Sequence, residues 1–328
     1  MLVSYLKNTL KLAAIILLLC VSYTTYEYRI STNIKDEIIV YIPHHTSSRE
    51  IAKILQESGA INSPRIFIFM SRLNSYFGNY LKHGQYKIKP NSTQSDIIET
   101  LVSGDIIKYN ITIPEGLSKS QILEILNSSY GLIGEVDLNT YKEGWLMPDT
   151  YEYTYNTEKK TLLDSMNNEM KKFISSLNFK GGVLNNEEEL LTLASIVEEE
   201  ASVPEERGKI AAVYLNRLNI GMALQADPTV IYGITNGKYD LGRLLILKDL
   251  LSDSKYNTYL NKGLPPTPIS NPGRASILAI LNPSDVKYIY FVADGLGGHK
   301  FSENYIDHKK NVAEYRSYKS LKKKEIAQ

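Results

Sequence analysis

The sequence predicts an α+β protein: an N-terminal transmembrane anchor, a small β–α module, and a mixed α/β domain with a cleft built from loops. Three observations carry this. An uncharged apolar run lies near the start of the chain, strand-then-helix segments recur from residue 39 to about 130, and the second half alternates helices with Gly- and Pro-rich loops. Composition sets the outer bounds. With 37 basic and 36 acidic side chains the formal net charge is +1, which gives no electrostatic footprint for nucleic acid. At 43% hydrophobic and 22% charged residues, the chain reads as globular and long enough for one large or two smaller domains. The 24 tyrosines suggest stacking on sugars or bases, but the chain is also rich in Ile, Lys and Asn, so a general bias accounts for most of them.

The first element follows Lys7 and Lys11. "LAAIILLLCVSYTTY" runs from Leu12 to Tyr26 without a charge, and counted back to Asn8 it has about the length that crosses a hydrocarbon core. Tyr23, Tyr26 and Tyr28 would lie at the far interface and the lysines on the cytoplasmic side. No small-x-small cleavage site follows, so the run reads as an uncleaved signal anchor and everything after residue 30 as lying outside the cytoplasm. Cys20 is the only cysteine, which excludes an intrachain disulfide. Leu19 before it is too bulky for a lipid-attachment signal, so Cys20 reads as an inert apolar neighbour.

The next elements repeat. "IPHHTSSREIAKIL" (42–55) and "IPEGLSKSQILEIL" (113–126) align without gaps at an offset of 71. Each follows a β-branched alternation, "EIIVYIP" or "IKYNITIP", that suits a strand. Each then meets Ser or Thr caps before apolar residues at helical spacing: Ile51, Ile54 and Leu55, or Ile122, Ile125 and Leu126. "GQYKIKPNSTQSDIIETLVSG" supplies a third such unit between them. Nothing in this region forms a reactive cluster. His44 and His45 are adjacent and have no third ligand at a metal-binding spacing, so they read as a loop pair.

From about residue 137 the texture changes. "EGWLMPDTYEYTY" (143–155) holds the only tryptophan and leads into an amphipathic helix near 158–177. After residue 220 the chain is rich in loops, among them "GMALQADPTVIYG", "YNTYLNKGLPPTPISNPG" and "YIYFVADGLGGHKFS", with "RASILAILNP" as a helix between the last two. "ADGLGGH" lies between two strand-like runs and lacks the Lys and Ser/Thr of a phosphate loop, so it reads as a hairpin turn.

"ASIVEEEASVPEER" (194–207) holds the candidate chemistry. Asn185 or Asn186 can cap its helix, and Glu187, Glu188 and Glu189 suit the first turn, where carboxylates complement the helix dipole. Leu190, Leu193, Ala194, Val197 and Ala201 form one apolar stripe. Glu199 falls opposite that stripe and reads as solvent-facing charge. Glu198 and Glu200 fall on its shoulders, each roughly 80° from its middle at about 100° per residue. A carboxyl half-buried there has its pKa raised, as a general acid near neutral pH requires. Helical geometry removes Glu199 and does not choose between the other two. Ser202 and Pro204 begin a new helix, with Glu205 and Glu206 as first-turn charge and Arg207 as a partner for one of them.

"LASIVEEEA…ERGKIAAVYLNRLNIGMALQADPTVIYG", "YNTYLNKGLPPTPISNPG" and "YFVADGLGGHKFSENYIDHKKNV" closely resemble the MltG (YceG-like) endolytic murein transglycosylases. The likeness extends from the anchor to about residue 315. It implies residues 1–30 as cytoplasmic stub and transmembrane anchor, 31–136 as a LysM-like β–α module, and 137–328 as a lytic transglycosylase domain. It also implies a single-pass inner-membrane protein whose catalytic domain is periplasmic. The reaction implied is cleavage of the MurNAc–GlcNAc β-1,4 bond inside nascent glycan strands, leaving 1,6-anhydro-MurNAc ends and limiting strand length. By the family pattern the catalytic residue is Glu198, the first of the E-x-E pair, and Glu200 is its supporting neighbour; relatives tolerate other residues at the position of Glu199. Gln225, Asp227 and Thr229 of "QADPT", beside a kink at Pro228, and Tyr256, Asn257 and Tyr259 of "YNTY" are the substrate-binding candidates. The proline-stiffened "GLPPTPISNPG" suits a cleft wall. Peptidoglycan strands, the membrane and cell-wall synthases are the implied partners, without metal or cofactor. A non-enzymatic, membrane-tethered scaffold that binds the wall through the β–α module is the competing reading.

Overall fold

The computed structural model describes residues 2–32 and 34–326. In chain order the elements are α1 (Leu2–Arg29), β1 (Ile38–Ile42), α2 (Ser48–Glu57), α3 (Pro64–Tyr76), β2 (Gly84–Ile88), α4 (Gln94–Ser103), β3 (Lys108–Thr112), α5 (Lys119–Ser128), β4 (Leu132–Ile133), β5 (Thr150–Thr154) and β6 (Thr157–Glu158). They continue with α6 (Lys159–Ser176), α7 (Glu187–Glu200), α8 (Arg207–Asn219), α9 (Asp227–Thr235), α10 (Leu247–Leu250), α11 (Arg274–Leu281), β7 (Tyr290–Ala293), β8 (His299–Ser302) and α12 (Tyr305–Ile326). The architecture mixes helices with two-stranded sheets: β1–β2, β3–β5, β4–β6 and β7–β8. Two compact units result, residues 1–109 with 152–156, and 110–151 with 157–328. The second copy of the sequence repeat therefore belongs to the second unit, although its texture is that of the module before it.

α1 is the one described helix long and apolar enough to cross a membrane, over Tyr5–Arg29, and is compatible with a membrane anchor. In the rest of the first unit, β1 and β2 pair antiparallel from Ile38↔Ile88 to Ile42↔Gly84, with α2 and α3 between them in sequence. Ser47 caps α2 in a full capping box with Glu50, and Thr93 does the same for α4 with Asp96. Val40, Ile42, Ile51, Leu55, Phe67, Tyr86, Ile97 and Leu101 are core residues of this unit. The structure adds a histidine to the pair seen in the sequence: the His83 ring lies 3.3 Å from that of His44. Burial and the two neighbouring histidines lower the pKa of His83.

The second unit is organised around α7. Every residue from Leu190 to Val197 is buried, a wider surface than the stripe its spacing suggests, because α8, α9 and α11 all pack on this helix. Fully burying one leucine contributes about 1.5–3 kcal/mol, so a helix enclosed along its body is a rigid post. Its polar positions are satisfied internally: the Thr192 hydroxyl donates to the Glu188 carbonyl (2.7 Å) and that of Ser195 to the Thr192 carbonyl (2.8 Å). Asn186 caps the N-terminus by accepting from the Glu189 amide. β7 and β8 form the antiparallel hairpin expected around "ADGLGGH".

Candidate active site

Three glutamates end α7, where the negative end of the helix dipole already disfavours carboxylate charge. Their environments differ.

Glu198 is tied on both oxygens. The Arg207 guanidinium lies 3.3 Å from Oε1, and the Gly273 amide donates to Oε2 at 2.8 Å. Its side chain is 7% exposed. Arg207 thus pairs across to α7 rather than with Glu205 or Glu206. Glu206 receives the backbone amide of His299 (3.0 Å) and lies 2.7 Å from its Nδ1, so it fastens the β7–β8 hairpin rather than serving as free first-turn charge.

Glu199 is exposed, as its helical position requires, yet it is not idle surface. It lines a cavity of about 520 Å³ together with Glu115, Gln121, Glu198, Tyr232 and Asp240. Water reaches the side chain, but surrounding protein displaces enough of its hydration to push its pKa up to about 7. Ser270 opposes that rise by a hydrogen bond, and Glu198 adds to it.

Glu200 is half-buried and receives the Tyr214 hydroxyl at 3.1 Å. Burial pushes its pKa up to about 7. The Tyr214 hydrogen bond and the Arg217 charge oppose the shift, while Asp227 and Glu199 add to it. Asp227 in turn receives the Tyr259 hydroxyl at 2.6 Å. Two loops that are distant in sequence therefore meet near Glu200. Gln225 is exposed close by, with φ of +49°, a strained conformation for a residue with a side chain.

The other motif residues serve the fold. Thr229 is fully buried, its hydroxyl donating to the Ala226 carbonyl at 2.6 Å and lying 2.8 Å from the Thr258 hydroxyl. Asn257 is also fully buried, donating to the Leu250 and Ser252 carbonyls and accepting from the Tyr259 amide. Both side chains are held inside the fold by hydrogen bonds to the backbone, with no polar group facing solvent. Tyr256 is half-buried, its hydroxyl 2.8 Å from that of Thr267 and its ring 4.9 Å from that of Tyr232. Pro228 lies in the first turn of α9 instead of kinking the chain.

Two cavity-lining residues, Leu117 and Tyr232, are tied to buried polar groups outside the lining. Asn271 donates to the Leu117 carbonyl (2.8 Å) and to Glu143 (3.2 Å), and accepts from the Leu146 amide (2.9 Å). Glu143, 6% exposed, also receives the Lys119 amide (2.8 Å) and the Tyr232 hydroxyl (3.1 Å), and burial raises its pKa. Glu115, also raised by burial, lies so close over Gly273 that a Cβ there would fall 1.6 Å from its carboxyl oxygen. Larger hollows of about 560 and 620 Å³, beside Trp145 and Phe179 and beside Leu177 and Leu281, contain none of the three terminal glutamates.

Sequence reasoning passed over Glu115, Glu143 and Tyr214, and gave Arg207 a first-turn partner in place of Glu198. One of them had a signal: in the internal repeat, Glu115 and Gly116 replace His44 and His45, and both Gly116 and His45 take a positive φ. The rest depend on long-range contacts.

Glutamates at the end of a buried helix, two of them lining a cavity, define a carboxyl-based enzyme, and the one apolar N-terminal helix among the described residues is compatible with a membrane anchor. The YceG-like family model matches residues 40–314, and the chain belongs to that family. It is 31% identical over 322 residues to an endolytic murein transglycosylase of Bacillus subtilis, covering 88% of this chain and 87% of the relative. A Streptococcus pneumoniae protein of the same name is 29% identical, over 87% of this chain and 60% of its own length. The crystal structure of a YceG-like protein from Listeria monocytogenes superposes with a TM-score of 0.51 at 28% identity, covering 84% of this chain and 98% of that one.

Proposed function

We propose that this protein is an endolytic peptidoglycan lytic transglycosylase that cleaves MurNAc–GlcNAc β-1,4 bonds and leaves 1,6-anhydro-MurNAc ends. The names of the B. subtilis and S. pneumoniae relatives support the reaction class. The observation that carries the site assignment is where the outer glutamates lie. Glu198 lines the cavity, with one carboxyl oxygen 3.3 Å from the Arg207 guanidinium and the other accepting the Gly273 amide at 2.8 Å. Glu200 lies outside that lining and receives the Tyr214 hydroxyl. We therefore assign the acid and base role to Glu198, the residue the family pattern implies, and a supporting role to Glu200. Glu199 also lines the cavity, but relatives tolerate replacement there.

One carboxyl suffices for both steps. Glu198 in its acid form donates its proton to the glycosidic oxygen as the C1–O bond breaks and the sugar gains oxocarbenium character. The resulting carboxylate takes the proton from the MurNAc C6 hydroxyl as that oxygen bonds to C1. The proton returns to Glu198 and no water is consumed, so no second carboxyl is needed as nucleophile or water activator. Acid–base help of this kind contributes roughly 10²–10⁴-fold. Asp227, its hydrogen-bonded partner Tyr259 and exposed Gln225 are the groups suited to holding sugar hydroxyls. The β–α–α–β order of the first unit supports a LysM-like wall-binding module, and α1 supports a single-pass inner-membrane anchor with a periplasmic domain.

Mass spectrometry of products from uncrosslinked glycan tests this. Wild type should yield 1,6-anhydro ends, Glu198→Gln should lose them, and Glu200→Gln should retain them at reduced rate. Loss in Glu200→Gln with retention in Glu198→Gln would move the acid role to Glu200, and ordinary reducing ends in wild type would make the enzyme a hydrolase.

A further inference from the structure

The side of α3 turned away from the core of the first unit is apolar. Phe69, Leu73 and Tyr76 are spaced i, i+4 and i+7 and so share one face of the helix, and Phe77 and Tyr80 extend it past the C-terminus. They are 59%, 43%, 84%, 70% and 67% exposed, while Ile66, Phe67 and Ser71 of the same helix are buried. Five large side chains gathered in this way are a patch, which marks an interaction surface. Its surroundings are basic. Between Ile61 and Ser95 the chain carries Arg65, Arg72, Lys82, Lys87 and Lys89 and no acidic residue.

The anchor limits what lies nearby. The large apolar residues of α1 from Tyr5 to Tyr23 are exposed, and the helix meets the rest of its unit only in its last turns. There Tyr28 packs on the core, and the Gln94 side chain donates to the Glu27 carbonyl at 3.3 Å. α1 also touches both α3 and α4. A span ending between Tyr23 and Arg29 leaves α3 within reach of the headgroup layer.

We propose that the exposed face of α3, with Phe77 and Tyr80, docks on anionic phospholipid headgroups beside the anchor. This rests on the reading of α1 as a membrane span. Amphipathic aromatic rings favour the boundary between hydrocarbon and water, and Arg65 and Arg72 add attraction to an anionic leaflet. The first unit then lies on the bilayer as an interfacial element.

Spin-label accessibility on the full chain tests the proposal. In a Cys20→Ser background, single Cys labels replace Leu17, Lys53, Leu73 or Tyr76. The chain is reconstituted in vesicles of phosphatidylcholine, with or without phosphatidylglycerol. The labels at residues 73 and 76 should be shielded from a water-soluble nickel chelate yet open to oxygen in anionic vesicles, with shielding lost in the zwitterionic ones. Lys53, an exposed α2 residue, should report water throughout. The residue-17 label reports the span itself. If it is shielded while labels 73 and 76 are as open as label 53, the docking proposal fails and the anchor stands; if it is open, the anchor reading fails and the proposal with it. Equal shielding in both vesicle types would overturn the role of charge. Dipolar broadening between labels would assign the face to a second copy, and shielding found only in native membranes would assign it to another protein.

Discussion

At Glu200 burial of the carboxyl costs the fold stability. The carboxyls of Glu199 and Glu200 move from an ordinary value of 4.5 to about 7. Between those pH values the folded chain holds protons that the unfolded chain has released. Their contribution to stability is therefore fully present at low pH and is lost as pH rises from about 4.5 to about 7. Replacing Glu200 with Gln removes its share of that loss. The melting temperature of Glu200→Gln should exceed that of wild type at pH 8 and converge with it near pH 4.5. A variant equally destabilised at both pH values would contradict a raised Glu200.

At the scale of elements, α7 shows how packing exceeds pattern. Its apolar spacing predicts one buried stripe, and three neighbouring helices bury its whole body. Thr192 and Ser195 tolerate this because each hydroxyl is satisfied within the helix, and the Ser195 oxygen also accepts the Ile269 amide at 3.0 Å. A cavity left in such a site collapses poorly. Leu193→Ala should cost about 2–5 kcal/mol in urea unfolding, against about 1 kcal/mol for Asn186→Ala, which removes only the N-cap. Equal costs would mean that α7 is not the post on which the site stands.

At the scale of the molecule, the site and the anchor belong to different compact units. Glu198, Glu199, Glu200, Arg207, Tyr214, Asp227 and Tyr259 all lie within the second, and α1 lies in the first. Residues 31–328, freed of α1, should therefore retain cleavage of soluble uncrosslinked glycan at a rate similar to that of the full chain in detergent. Product counts by mass spectrometry would check this, and loss of cleavage with the fold intact would make the anchor part of the catalytic apparatus.

Local signals determined much of this protein from its sequence. Uncharged length marked α1, caps followed by periodic apolar residues marked α2, α5 and α7, and a turn between strand-like runs marked the β7–β8 hairpin. Each depends on neighbours within a few turns of the chain, so each is legible without the fold. Helical phase also placed Glu198 and Glu200 as half-buried. Only the tertiary structure distinguished the three glutamates, because their surroundings are brought from elsewhere: Arg207, Gly273 and the cavity at Glu198, the cavity at Glu199, and Tyr214 with Asp227 at Glu200. It likewise withdrew Thr229 and Asn257 into the interior, where turn-forming polar residues hydrogen-bond the backbone. A carboxyl's position on its helix is set by sequence spacing, whereas its charge is set by the field and hydration that the folded chain assembles around it.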